Sequence, residues 1–174
     1  MWFKRVASAV LCASSIAACA PTFREGFAAL VPAVPEPPGT AADTVLRLVL
    51  MRAVSGDTGV PDFNLLPDSR KVVLLLSDSS VTPRILPDTQ SVRFVLLTLE
   101  QIRTFAGRYG HFVYLSVGLL RLDGDSAQAG ASTQWMSSPR NPAQVYLSGG
   151  GCNWQFRRRA GEWLFEKSMG CIIS

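Results

Sequence analysis

Few side chains in this 174-residue sequence could do chemistry, and their spacing limits what that chemistry is. His111 is the sole histidine, so a histidine-rich metal centre is excluded. As a general base it needs a carboxylate to orient it, and the candidates are Asp78, Asp123 and Asp125. Ser77-Asp78-Ser79-Ser80 joins hydroxyls to a carboxylate, but no Gly-x-Ser-x-Gly elbow surrounds it, and it reads as a polar turn. Asp123-Gly124-Asp125-Ser126 has the opening of a calcium loop without its later oxygen ligands, and reads as a turn too. Arg157-Arg158-Arg159 could grip an anionic headgroup or an acidic partner, although charges at an exposed tip need no ligand. Gly149-Gly150-Gly151 lies between strand-like runs and opens no helix, so it is not a phosphate loop. These residues point to no cofactor and no metal.

A second group could bind without reacting. Tyr109, Phe112, Tyr114, Trp135 and Tyr146 come from several elements, and a curved sheet could gather some of them around a pocket. Strand alternation puts Phe112 and Tyr114 on one side, opposite His111 and Val113. The competing reading is ordinary core packing.

The elements that must position these residues follow from pattern. Thr40-Ala-Ala-Asp43 resembles a capping box and opens a helix reaching Val54, with Leu46, Val49 and Leu50 buried and Arg47 and Arg52 on the wet side. Ser55-Gly56 stops it. Lys71–Leu76 reads as a buried strand, while Ser91–Leu97 fits a strand or the approach to a helix. Thr98-Leu-Glu-Gln101 caps a second helix with Leu99, Ile102, Phe105, Ala106 and Tyr109 at helical spacing. Strands are then expected over His111–Leu122, Ser126–Met136, Ala143–Ser148, Cys152–Arg158 and Glu162–Ile173.

In the last hairpin Cys152, Trp154 and Phe156 share one strand face, and Trp163, Phe165, Met169 and Cys171 share one face of its partner. The two sets are expected to bury together, each large side chain stabilising the core by about 1.5–3 kcal/mol. Cys152 and Cys171 lie directly opposite each other if Gly161-Glu162 is the turn. If the turn is Ala160-Gly161 they are diagonal and need a bulge or a twist. A disulfide closing roughly eighteen residues is expected, worth on the order of 3 kcal/mol. Free thiols at a metal or redox site lack both Cys-x-x-Cys spacing and histidine partners.

The first twenty residues set location. Lys4 and Arg5 precede an apolar, small-residue run too short to cross a bilayer. The run ends Ile16-Ala17-Ala18-Cys19, which resembles the bacterial lipobox. The resemblance implies a signal peptide over 1–18 and a lipid on Cys19, holding the protein to a membrane of the bacterial cell envelope. Ordinary secretory cleavage after Ala20 would place Pro21 just past the cut, a poor site because proline lacks the amide hydrogen. Five of the eleven prolines fall between Pro21 and Pro38, so 19–39 reads as a semi-rigid tether. Phe23, Phe27 and Leu30 could dock on the domain or dip into lipid. Lys4 and Arg5 supply two of the net +4 charges, so the remaining excess of about two argues for no nucleic-acid partner.

Residues 40–174 are long enough for one domain with its own core. Helices first and strands after predict an α+β fold, with N-terminal helices packed on a curved antiparallel meander. That order, with Gly161-Glu162-Trp163 in the final hairpin, resembles the NTF2-like and cystatin-like folds, in which a sheet wraps a helix around a pocket. Three functions are then expected to compete. The first is a non-catalytic module binding a small apolar ligand or an envelope partner. The second is a hydrolase or isomerase of that fold using His111 with an acid such as Asp78. The third is a structural or assembly lipoprotein, which would carry an exposed apolar patch.

Overall fold

The computed structural model describes residues 30–55, 72–90, 92–140 and 149–173. Cys19, Tyr146 and the strand expected over 143–148 lie outside them. Helix α1 (Ala41–Val54) begins where Thr40 accepts a hydrogen bond from the Asp43 amide at 3.0 Å. Asp43 answers by accepting from the Gly39 amide at 3.1 Å, one residue earlier than a standard box. Strands β1 (Val72–Leu76) and β2 (Arg93–Leu97) follow, joined through a 3-10 turn at Pro83–Ile85. Helix α2 (Leu99–Tyr109) opens on a complete capping box between Thr98 and Gln101. Strands β3 (Phe112–Asp123), β4 (Ser126–Met136), β5 (Gly150–Arg159) and β6 (Glu162–Ile173) complete one six-stranded sheet in the order β2-β1-β3-β4-β5-β6.

The fold is α+β, but the sheet is mixed and not an antiparallel meander throughout. β1 pairs in parallel with β2 over five residues and meets β3 in parallel at Leu75–Leu115. Parallel neighbours need a crossover, and α2 supplies it between β2 and β3. Only β3 to β6 form the expected antiparallel run.

The two helices pack on opposite faces. Val45, Leu46, Val49 and Leu50 of α1 bury against Val113, Leu115, Ala127, Ala129, Trp154 and Phe156. Ile102, Phe105 and Ala106 of α2 bury against Val72, Leu74, Val95, Leu97, Phe112 and Tyr114. β1 and the first half of β3 are therefore apolar on both sides, whereas Trp154 and Phe156 of β5 face α1 and, of the two described helices, α2 packs on the opposite face nearer β1 and β2. No helix among the described residues is long and apolar enough to cross a membrane.

Two expectations about the domain's edges change. The segment from Leu30 to Gly39 does not hang free: the Ala33 amide donates to the Phe94 carbonyl of β2 at 3.0 Å, and the Glu36 amide to Pro83 at 3.2 Å. Arg47 leaves the wet side of α1 to clasp this strap, donating to the carbonyls of Glu36 and Arg84. The outer edge of β2 is thus met by a proline-rich segment that bonds to it at Phe94, a common kind of protection against edge pairing. Glycine matters most where strands touch: a Cβ on Gly130 would sit 2.2 Å from the Asn153 Oδ1 and 2.8 Å from the Cys152 carbonyl.

Candidate functional site

The aromatic candidates divide between the two cores. On the α2 side Tyr109 and Phe105 stack at 4.6 Å, Phe105 meets Phe112 edge-on at 5.1 Å, and Tyr114 follows at 6.4 Å from Phe112. The Tyr114 hydroxyl donates to Gln134 at 2.7 Å, and burial pushes its pKa up against the pull of the Arg103 guanidinium. Trp135 is opposite Val113 in the ladder and packs on the α1 side. Tyr109, Phe112 and Tyr114 therefore form a packed cluster without Trp135. What opens beside the cluster is a surface cleft of about 270 Å³ along α2, lined by Leu30, Leu97, Phe105, Arg108 and Tyr109. Leu30 docks on the domain, as its apolar character allows.

His111 and Asp78 stand at opposite ends of the sheet. Leu75 is level with Leu115, so Asp78 lies three residues beyond that level and His111 four before it. At about 3.3 Å per residue the separation along the strands is about 23 Å. Asp123 is further still, twelve residues along β3. The Nδ1 atom of His111 accepts from the Ser138 amide at 2.9 Å, tying the end of β4 to the start of β3 and placing the proton on Nε2. Asp78 accepts from the Ser80 amide and hydroxyl, both at 2.7 Å, and from the Val81 amide at 3.0 Å. Burial raises its pKa, but the three hydrogen bonds together outweigh that and hold it below the ordinary 3.8. Both are turn chemistry. Among the described residues no three His, Cys, Asp or Glu side chains converge as metal ligands.

The arginine triplet is occupied locally. Arg157 and Arg159 approach Glu166 at 3.0 and 3.8 Å, and Arg158 donates to the Gly161 carbonyl at 3.3 Å. Gly124 and Asp125 form the β3–β4 turn, and the Asp125 carbonyl receives the Arg158 amide at 2.8 Å.

The exposed apolar residues gather on β6. The hairpin turns at Ala160-Gly161, which starts Arg159 opposite Glu162 and would leave the cysteines diagonal. Two one-residue bulges, at Glu166 and Met169, advance β6 until Cys152 faces Cys171, and the two form a disulfide. Cys152, Trp154, Phe156 and Trp163 are buried as expected. Phe165 and Met169 are not: they are 42 % and 48 % exposed, because β6 is the edge strand among the described residues; Phe165 keeps to the α1 face opposite Phe156, while Met169 is itself the extra residue of a bulge. Arg52, expected in solvent, lies 3.6 Å over the Phe165 ring and 5.8 Å from Trp154. Leu164, Ile172 and Ile173 are also exposed, Ile172 and Ile173 by more than 70 %. The signal for this edge was in the sequence as Trp163-Leu-Phe165 and Cys171-Ile-Ile173. Consecutive apolar residues on a terminal strand mean apolar character on both faces.

No protein-family model matches the chain, and neither a curated protein nor a solved structure was found to resemble it.

Proposed function

We propose that this chain is an exported envelope protein, anchored by lipid at Cys19, that works without catalysis by docking a protein partner on the β6 edge. The observation that carries this reading is the contrast between the two sheet edges. β2 is overlaid by the Leu30–Gly39 strap, whereas β6 runs for twelve residues with Leu164, Phe165, Met169, Ile172 and Ile173 in solvent. A long apolar edge is an invitation to aggregation unless something pairs with it. The disulfide supports export, since such bridges persist in oxidising compartments.

The aromatic residues favour a partner over a small ligand, because Phe112 and Tyr114 are spent on packing. The cleft along α2 keeps a second reading, a small apolar ligand held against Tyr109 and Phe105. The hydrolase or isomerase reading loses its Asp78–His111 dyad to distance. The resemblance to NTF2-like and cystatin-like folds extends at most to α1 with β3–β6, since β1 and β2 depart from the pattern it implies.

Two measurements test the proposal. A globomycin-sensitive gel shift, lost in Cys19→Ser, is expected; its absence removes the anchor. Native intact mass of the unreduced protein is expected to show no small-molecule adduct, and an adduct that disappears on denaturation would favour the cleft.

A further inference from the structure

We infer that the cleft along α2 is the seat of this chain's own N-terminal arm, with Phe27 filling it beside Leu30. Leu30 is where the described chain begins, and it is both packed against the α2 core and part of the cleft wall. The strap runs antiparallel to β2, from Leu30 through Ala33 on Phe94 to Glu36 on Pro83. Counted back from Ala33 opposite Phe94, Leu30 falls level with Leu97, the last residue of β2, and both line the cleft. The residues before Leu30 therefore leave the strap at the end of β2, where α2 begins and the cleft opens.

Reach and spacing pick out Phe27. It precedes Leu30 by three residues, at most about 11 Å for extended chain at 3.3–3.6 Å per residue. Past Leu97 the strap has no strand to pair with, so its alternation ends at Leu30. Phe23, Phe27 and Leu30 are spaced i, i+4 and i+7, which is one face of a helix, and a single helical turn sets Phe27 next to Leu30.

Size and chemistry fit the ring. A dry cavity of roughly 150 Å³ takes a benzene molecule, so a surface cleft of about 270 Å³ has room for a phenyl group. Leu30, Leu97, Phe105 and Tyr109 give it an apolar floor, and the Phe105 and Tyr109 rings, 4.6 Å apart, suit a third aromatic. Filling the cleft this way closes it to the small apolar ligand of the second reading. Neither β6 nor the anchor enters, since Phe27 stays in the chain whether cleavage falls before Cys19 or after Ala20.

The test replaces Phe27 with a diazirine analogue of phenylalanine in the full chain made in bacteria. Val34, 75 % exposed farther along the strap, is the control position. Peptide mapping is expected to find a light-dependent intrachain link from 27 to α2 within residues 100–109, and none on α2 from 34. Thr104→Trp and Arg108→Trp each fill the cleft from its rim and are expected to lower that yield at least fivefold. Cys152 and Cys171 resisting alkylation before reduction show the domain intact in each variant. A yield undiminished in either intact variant overturns the inference. So does a link from 27 to lipid, to another protein or to a different part of the domain, and so does the absence of any link.

Discussion

Removing the Cys152–Cys171 bridge separates what the covalent link does from what packing does. The variant is Cys152→Ala with Cys171→Ser, because Cys152 is buried in the α1 core and Cys171 is exposed. The bridge spans 19 residues, and restoring that freedom to the unfolded chain costs about 3 kcal/mol of stability in the loop-entropy model. For a domain of this size each kcal/mol moves the melting temperature by about 3 °C, so a fall of about 10 °C is expected by circular dichroism. The location of the bridge adds a second expectation. Beyond the Met169 bulge the end of β6 is held on one side only, by pairing with Gly150, Gly151, Cys152 and Asn153, and its side chains are in solvent. Amides of residues 170–173 should then exchange faster by more than the global loss accounts for. A melting temperature lowered by less than about 3 °C, with unchanged exchange at 170–173, would refute the reasoning.

Three further outcomes follow from packing and charge. Gly130→Ala should destabilise by about 1–3 kcal/mol in urea titration, because its Cβ would collide with Asn153 and the Cys152 carbonyl, while Gly118→Ala, which meets nothing within 4 Å, should be close to neutral. Arg52→Ala should lose about 0.5–2 kcal/mol with the stacking on Phe165, and Arg52→Lys should recover only part of it, which equilibrium unfolding of the three proteins will show. Asp78 has a folded pKa below its ordinary 3.8, so its stabilisation is complete above that value and is lost as pH falls through the lowered one. The difference in stability between the parent chain and Asp78→Asn should accordingly shrink on acidification below pH 4, and a difference independent of pH would contradict it.

Local chemistry was legible in the sequence and long-range placement was not. Thr40 and Thr98 announce their helices because capping is decided within four residues. The alternation of Cys152, Trp154 and Phe156 gives a buried face directly, since period two survives in a strand flanked on both sides. Nothing in Val72–Leu76 or Arg93–Leu97 says that they pair with each other in parallel, because an apolar run buried on both faces carries no period. Met169 and Phe165 differ from the expectation for other reasons: a bulge, which leaves no mark on composition, takes Met169 out of the alternation, and Phe165 keeps its face but stands on an edge strand, a place that sequence alternation does not reveal. The strap was missed for a third reason. Proline-rich sequence reads as spacer, and long-range contacts that no local pattern announces make it part of the domain: Ala33 on Phe94, Glu36 on Pro83, and Arg47 reaching across to Glu36 and Arg84.

The strap also sets a leash. Its bond from Ala33 to Phe94 means that a lipid on Cys19 would be connected to the domain by the residues before Leu30, a contour of at most about 40 Å at 3.3–3.6 Å per residue. β6 is five strands from β2, about 24 Å across the sheet at 4.8 Å per strand. That leash is longer than the sheet is wide, so with a lipid on Cys19 the β6 edge could face the bilayer or turn away from it, and the anchor alone would not orient the apolar edge.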